Sequence, residues 1–352
     1  MGKGSISALI DNISQLQSLR DLKDISGFDC ELYIKIDTGY GRAGLTTDSP
    51  NFKKLVKSIL NETEPSGCGK LSGFYSHAGH SYGGNSAAAA MSLLVQELEG
   101  LRIAADIATS MGQVKTRDTR YILSVGATPT ATSIQNLLTK RGKGDGNIID
   151  EQLTKLQHCI EDTKRTHTIE IHAGVYPILD MQQVSTYASP PIKVNSHMET
   201  PTKLSTADIA LTMLAEVASV YEDRESPEAL IAAGSLALGR EPCKSYNGWG
   251  VVSDWGMAFP TSTGRSGWQV GRISQEHGNL TKDSSADHDP DVVSVTRIAR
   301  TEDLRPGQKI RIFPNHACIA GAGFGWYLVV DSSLPEDRQD EVVDVWVRWR
   351  GW

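Results

Sequence analysis

A histidine and a cysteine stand two positions apart in Pro314-Asn315-His316-Ala317-Cys318, just after the apolar run Lys309 to Phe313. In an extended backbone positions i and i+2 face the same way, so the imidazole and thiolate can share one ligand. That donor pair suits zinc, and two protein ligands leave positions open, the condition of a catalytic rather than a structural site. An ordinary strand with a buried cysteine and a capping histidine satisfies the same spacing. A second cluster, Tyr75, His77, His80 and Tyr82, offers flat rings for stacking and phenols for hydrogen bonds. One of its two histidines reads better as a satisfied structural side chain than as a catalyst. The stretches Ser124 to Thr130 (SVGATPT) and His172 to Tyr176 (HAGVY) combine glycines with small hydroxyl residues, whose neighbourhood can cradle a phosphate or simply turn the chain. Asp37 to Gly44 (DTGYGRAG) could hold an anion or only terminate a strand, and Ser274 to Gly278 (SQEHG) is a titratable pair or a polar surface. No GxxxxGK[ST] occurs, which excludes a P-loop.

The elements that must position these residues alternate. Strands are expected at Glu31 to Asp37, Leu71 to His77, Tyr121 to Val125 and Thr168 to His172, with helices at Asn51 to Asn61, Asn85 to Met111 and Ile149 to Lys164 between them. That pattern makes a parallel sheet covered by helices, about four βα units, with each Gly-rich loop at a strand's C-terminal end, where such folds bind ligands. Met1 to Cys30 reads as one amphipathic helix. From about Lys203 the texture changes to strands separated by turn residues: Ala207 to Tyr221, Glu228 to Ala233, Trp268 to Ile273, Val292 to Thr296, Lys309 to Phe313, Trp326 to Val330 and Val342 to Trp349. This is a second, antiparallel β domain, joined through the Pro/Ser-rich stretch Ser189 to Pro201.

The chain has 352 residues, 39% hydrophobic and 22% charged, too apolar for a disordered chain and long enough for two domains. A net charge of -7, without a basic stripe, argues against a nucleic-acid partner. No run reaches the roughly 18 apolar residues of a membrane span, and the start carries no secretory h-region, so no membrane partner and a cytoplasmic location are expected. Five cysteines without CxxC spacing argue against a disulfide framework and a zinc knuckle.

Taken in order, KIDTGYGRAG, FYSHAGHSYG, SVGATPTATS, EIHAGVYPILD, SQEHG and PNHAC resemble the D-serine dehydratase and D-threonine aldolase group of pyridoxal-phosphate enzymes. The resemblance runs from Glu31 to Trp352. It implies the alanine-racemase-like fold, a (β/α)8 TIM-type barrel followed by a β domain, here with only part of the barrel. The implied division is a helical remnant of the barrel at 1–30, a cofactor-binding partial barrel at 31–202 and the zinc-bearing β domain at 203–352. The His-x-Cys spacing is similar to that of the fungal-type dehydratases, since Cys318 stands where aldolases of the group more often carry Asp.

Carried over residue by residue, the resemblance implies that His316 and Cys318 bind zinc and act through it. Tyr75 and Tyr82 line pyridoxal 5'-phosphate, and His77 meets its pyridine ring. Thr128, with Gly174 and Val175 through their backbone, holds the phosphate, although many relatives have Asn where Val175 stands. Asp37 and Arg42 belong to a DTGxxRxG motif, together with Lys35, which is not the Schiff-base lysine. The family keeps that lysine in a stretch resembling RPHxKTH upstream, and no such stretch occurs here; Lys3 and Lys23 do not match. The implied activity is a lyase reaction converting D-serine to pyruvate and ammonia. D-threonine aldolase-type cleavage and a non-catalytic cofactor-binding protein are the alternatives. For these 352 residues alone, weak non-covalent cofactor binding and negligible turnover are expected, as is difficulty in folding as a lone half barrel with unpaired parallel edges. A homodimer and a small D-amino acid substrate are expected by the same resemblance.

Overall fold

The computed structural model describes residues 6–61, 69–112, 120–138, 148–190, 204–257, 261, 264–284, 300 and 303–349. The chain divides into two compact units, one of Met1–Tyr176 with Thr186–Lys203, the other of Pro177–Ser185 with Leu204–Trp352.

In the first unit β1 (Ser7–Ile10), α1 (Gln15–Ser26), β2 (Cys30–Lys35), α2 (Pro50–Asn61), β3 (Gly69–Tyr75), α3 (Ala87–Met111), β4 (Ile122–Val125), α4 (Thr128–Ser133), α5 (Ile148–Thr166) and β5 (Thr168–Ile171) follow in order. The five strands form one parallel sheet in the order β1-β2-β3-β4-β5. The amphipathic helix expected over Met1 to Cys30 is therefore a strand followed by a helix. Ser7 to Ile10 pairs with Glu31 to Ile34, and Gly27, at φ 70°, ends α1 in the left-handed conformation that glycine adopts at no steric cost. The sheet has five strands where four βα units are expected, and among the described residues it does not close into a barrel.

Each element buries a face set by its period. In α2 the buried residues Phe52, Leu55, Val56 and Ile59 fall at i, i+3, i+4 and i+7. In β2 they alternate as Cys30, Leu32 and Ile34, which join Phe74, Leu123, Met91, Leu94 and Leu98 in one apolar cluster. The opposite face of the sheet is polar. Lys35 pairs with Tyr75, Tyr75 with Ser124, and Ser124 with Glu170, so these four side chains stand in one row across β2, β3, β4 and the next strand, β5.

The second unit contains α6 (Met181–Thr186, through Ser185), β6 (Met213–Tyr221), β7 (Glu228–Ile231), α7 (Ser235–Leu238), β8 (Gly250–Ser253), β9 (Arg265–Ile273), β10 (Gly278–Lys282), β11 (Lys309–Pro314), α8 (Ala317–Ala322), β12 (Trp326–Val330) and β13 (Val342–Val347). Six strands close an antiparallel barrel in the order β10-β7-β6-β11-β8-β9 around Trp268, Val270, Ile231 and Ile312. β12 and β13 form a separate hairpin. The expected strand from Ala207 begins only at Met213, β8 and β10 are additional, and the expected strand Val292 to Thr296 lies outside the described residues.

Candidate functional site

The strand ends of the first unit gather most of the residues singled out in the sequence. The Tyr75 ring stacks on His172 with centroids 4.3 Å apart and planes 6° from parallel, and His172 stacks more loosely on His77 at 6.1 Å. The Lys35 ammonium lies 4.7 Å from the centre of the Tyr75 ring. Tyr40 meets His77 edge-on and His80 in a stack, and the Arg42 guanidinium lies 5.1 Å from the centre of the Tyr40 ring. Burial, then the charge of Arg42, lowers the pKa of both Lys35 and His77. The cleft therefore disfavours additional positive charge.

His172 is the most perturbed of these groups. Burial, then the neighbouring His77, brings its pKa down to about 4, so the ring is neutral near neutral pH. Its tautomer follows from the hydrogen bonds. Ser124 Oγ donates to Glu170 Oε1 at 2.6 Å, so the same oxygen accepts from His172 Nδ1 at 3.1 Å. Nε2 is buried and makes no hydrogen bond of ordinary geometry, and the same holds for His80 Nδ1 and Ser81 Oγ, while the Gly126 carbonyl near the His172 ring opposes the lowering of its pKa. Such orphaned atoms are uncommon in a native interior and fit a cleft that receives a polar group.

The loops after β4 and β5 pack backbone against backbone beside it. Gly126 sits at φ 139°, and a Cβ there would lie 2.2 Å from the His172 carbonyl oxygen. Next to it, Thr128 is buried, and its Oγ1 accepts the Val175 N–H at 3.2 Å. Thr128 and Val175 thus meet, with the Val175 donor turned onto threonine and the Thr128 hydroxyl proton free to point elsewhere. Gly174 is exposed beside them, and Tyr82 is half-buried on the short 3-10 turn Gly79–Gly83. Asp37 faces its own loop. Burial opposes its charge, but the N–H groups of Gly41, Gly39 and Tyr40 prevail and hold its pKa below the usual carboxylate range. It shapes the turn, the plainer of the two readings of that motif.

Glu97 carries no signal in the motifs, yet it is buried on α3 beneath these loops, with Ser76 Oγ, Gly126 N–H and Thr130 Oγ1 donating to its carboxylate.

In the second unit β11 delivers Pro314, and His316 then caps α8 in extended conformation, so Cys318 is a residue of the first helical turn. The strand geometry expected for the His-x-Cys pair is replaced by a strand-to-helix corner. Asn315 pins this corner: its Oδ1 accepts from Tyr246 OH, its Nδ2 donates to the carbonyls of Glu241 and Gly248, each at 2.8 Å, and its carbonyl accepts from Gln182 N–H at 3.2 Å. Asp180, fully buried, accepts Ala317 N–H and Gln183 N–H, each at 2.9 Å; burial raises its pKa against those bonds and the charge of His316. Gln182 Nε2 donates to the Pro242 carbonyl at 2.7 Å, which turns Oε1 toward His316 Nδ1, also at 2.7 Å. His316 Nδ1 is therefore the donor in that bond, which leaves Nε2 as the ring nitrogen a metal would use. Cys318 is an exposed free cysteine whose thiol pKa is raised by burial of the sulfur and by Asp180. Among the described residues no third His, Cys, Asp or Glu joins the pair in a metal-binding group. The titratable pair of Ser274 to Gly278 forms the turn between β9 and β10, with Ser274 N–H bonded to the His277 carbonyl and the Ser274 and Gln275 carbonyls accepting from Ser235 and Leu236 of α7.

Known proteins are similar to this chain in sequence and fold. Residues 210–330 match the family described as "Putative serine dehydratase domain". D-serine dehydratase of Schizosaccharomyces pombe is 34% identical over 350 residues, covering 98% of this chain and 67% of the relative. That of Saccharomyces cerevisiae is 31% identical, covering 99% and 69%. Among solved structures, D-threo-3-hydroxyaspartate dehydratase from Delftia sp. HT23 superposes with a TM-score of 0.63 at 25% identity, over 98% of this chain and 73% of that one. Variants of that enzyme replace a histidine and, two positions later, a cysteine, and the cysteine variant is described as metal-free. With a third of its residues shared along nearly its whole length, the chain belongs to the D-serine dehydratase family.

Proposed function

We propose that the strand-end cleft binds pyridoxal 5'-phosphate, that His316 and Cys318 bind zinc, and that the two serve elimination of water from a small D-amino acid, D-serine foremost, to give pyruvate and ammonia. One observation carries the reading: stacked, neutral rings at Tyr75 and His172, with a buried His172 Nε2 that makes no hydrogen bond of ordinary geometry, share the sheet end with the Thr128 and Val175 pair. Bound there, pyridoxal phosphate supplies an electron-withdrawing ring for charge left at Cα, and zinc supplies a Lewis acid for the departing hydroxyl.

The chain's own residues do the rest. Tyr75, His77 and Tyr82 wall the ring of the cofactor, and their raised phenol and lowered imidazole pKa values, for Tyr75 and His77, keep these groups neutral. The Thr128 hydroxyl would hold the phosphate, with Gly174 and Val175 forming the adjoining loop. Gln182 holds His316 in its metal-binding tautomer. No described helix is long and apolar enough to cross a membrane, which accords with a cytoplasmic enzyme. The hairpin of β12 and β13 exposes Trp326, Leu328, Val345 and Trp346, apolar surface that a second copy of the chain would cover in a homodimer.

Equilibrium dialysis against pyridoxal phosphate and zinc, followed by product analysis with D-serine and D-threonine, tests the reading. Reversible binding of both, with pyruvate as the only trace product, supports it. Glycine plus an aldehyde would convert the assignment to an aldolase, and no binding of either group would remove it.

A further inference from the structure

Helix α3 buries a stripe of Met91, Leu94, Leu98, Leu101, Ala104, Ala105 and Ala108, and Glu97 stands in the middle of it at 1% exposure. A carboxylate on an apolar stripe costs several kcal/mol unless its oxygens are satisfied. Here they are, by neutral donors only. Oε1 accepts from Ser76 Oγ at 3.1 Å and Gly126 N–H at 3.3 Å, and Oε2 accepts from Thr130 Oγ1 at 3.1 Å, with Ala78 N–H also bonded to the carboxylate. Burial raises the Glu97 pKa, and these bonds oppose it: the Gly126 and Ala78 N–H groups can only donate, so they favour the ionised carboxylate that burial disfavours. Ser76 in turn shares a 2.6 Å hydrogen bond with Thr38, whose carbonyl accepts from Gln96 at 2.9 Å. One side chain therefore ties together the loops that follow β2, β3 and β4.

The grip is tightest around Thr128. Glu97 holds Gly126 two residues before it and Thr130 two residues after it, and Thr130 Oγ1 also accepts the Ala127 N–H at 2.9 Å. Both flanks of Thr128 are held, and its Oγ1 accepts the Val175 N–H at 3.2 Å. We propose that Glu97 is the positioning residue for the phosphate end of the cleft, acting through Gly126 and Thr130 to preset Thr128. The proposal rests on the reading of the cleft as a pyridoxal-phosphate site. It also fixes a sign: if Glu97 acted through its negative field alone, removing the charge would strengthen phosphate binding.

The test measures dissociation constants of pyridoxal phosphate and of pyridoxal, which lacks the phosphate, by equilibrium dialysis of the full chain and its Glu97→Gln variant. Thermal unfolding is followed by circular dichroism at 222 nm. The expected result is a loss of about tenfold in pyridoxal-phosphate affinity, the order of one well-placed charged hydrogen bond, with pyridoxal affinity unchanged within about twofold. A general loosening of the fold would instead weaken both ligands together, and that outcome overturns the proposal, as does unchanged or tighter pyridoxal-phosphate binding in the variant. Should Glu97→Gln not fold, Thr130→Val, which deletes one of the donors at nearly constant volume, is expected to show the same selective loss, and equal affinities there overturn the proposal. A wild-type chain that binds neither ligand removes the cofactor reading and this assignment together; a wild-type chain that binds normally beside an equally competent variant removes this assignment alone.

Discussion

Replacing His172 by Phe keeps a flat ring against Tyr75 while removing the group that titrates. In the unfolded chain His172 takes its proton near pH 6.5, and in the folded chain only at about 4. Between those values the unfolded chain binds more protons, so this group's contribution to stability is complete above pH 6.5 and is lost as pH falls toward 4. At 1.36 kcal/mol per pH unit the difference amounts to roughly 3 kcal/mol. The ring is half-buried, so solvent screening reduces the working figure to about 1.5 kcal/mol. All seven tryptophans lie beyond residue 240, so denaturation of the first unit is best followed by circular dichroism at 222 nm, where its helices dominate. His172→Phe also leaves Ser124 Oγ without its donor, a cost of about 1 kcal/mol that is equal at both pH values and cancels. On going from pH 7 to pH 4.5 the wild type is expected to lose about 1.5 kcal/mol more than the variant. Equal losses, or an imidazole titration midpoint above pH 6 by nuclear magnetic resonance, would refute the argument.

Other outcomes follow from the same geometry. Gln182→Leu frees His316 to adopt either tautomer and is expected to weaken zinc binding about 10- to 100-fold, measured by competition with a chelating dye, with little change in secondary structure. Gly126→Ala places a methyl on the His172 carbonyl at an unfavourable φ and is expected to destabilise the first unit by at least about 2 kcal/mol in urea denaturation. Leu328→Glu on the β12 and β13 hairpin is expected to shift a sedimentation profile from dimer to monomer, without altering zinc affinity.

The βα alternation was readable because its signals are local: β-branched runs with period two, and stripes such as Phe52, Leu55, Val56 and Ile59 with helical spacing. β1 escaped because four residues, Ser7 to Ile10, merge with the amphipathic pattern of α1; what defines them as a strand is pairing with β2, a tertiary fact. β8 and β10 are short and glycine-bearing, and barrel closure rather than propensity makes them strands. The corner that carries His316 and Cys318 was not legible, since capping by His316 turns the chain into α8 right after β11. Glu97 looks like a solvated charge in a long helix. Its one signal is position, three residues after Leu94 and one before Leu98, on the stripe that α3 buries. The tautomer of His172 depends on Ser124 and Glu170 from neighbouring strands, which no local pattern contains.

Hydrogen–deuterium exchange with and without saturating pyridoxal phosphate addresses the cofactor site most directly. Slowed exchange confined to the segments around Tyr75 to Tyr82, Gly126 to Thr130 and His172 to Tyr176 is the predicted result. Protection elsewhere in the chain, or none in these three segments despite measured binding, would contradict the account.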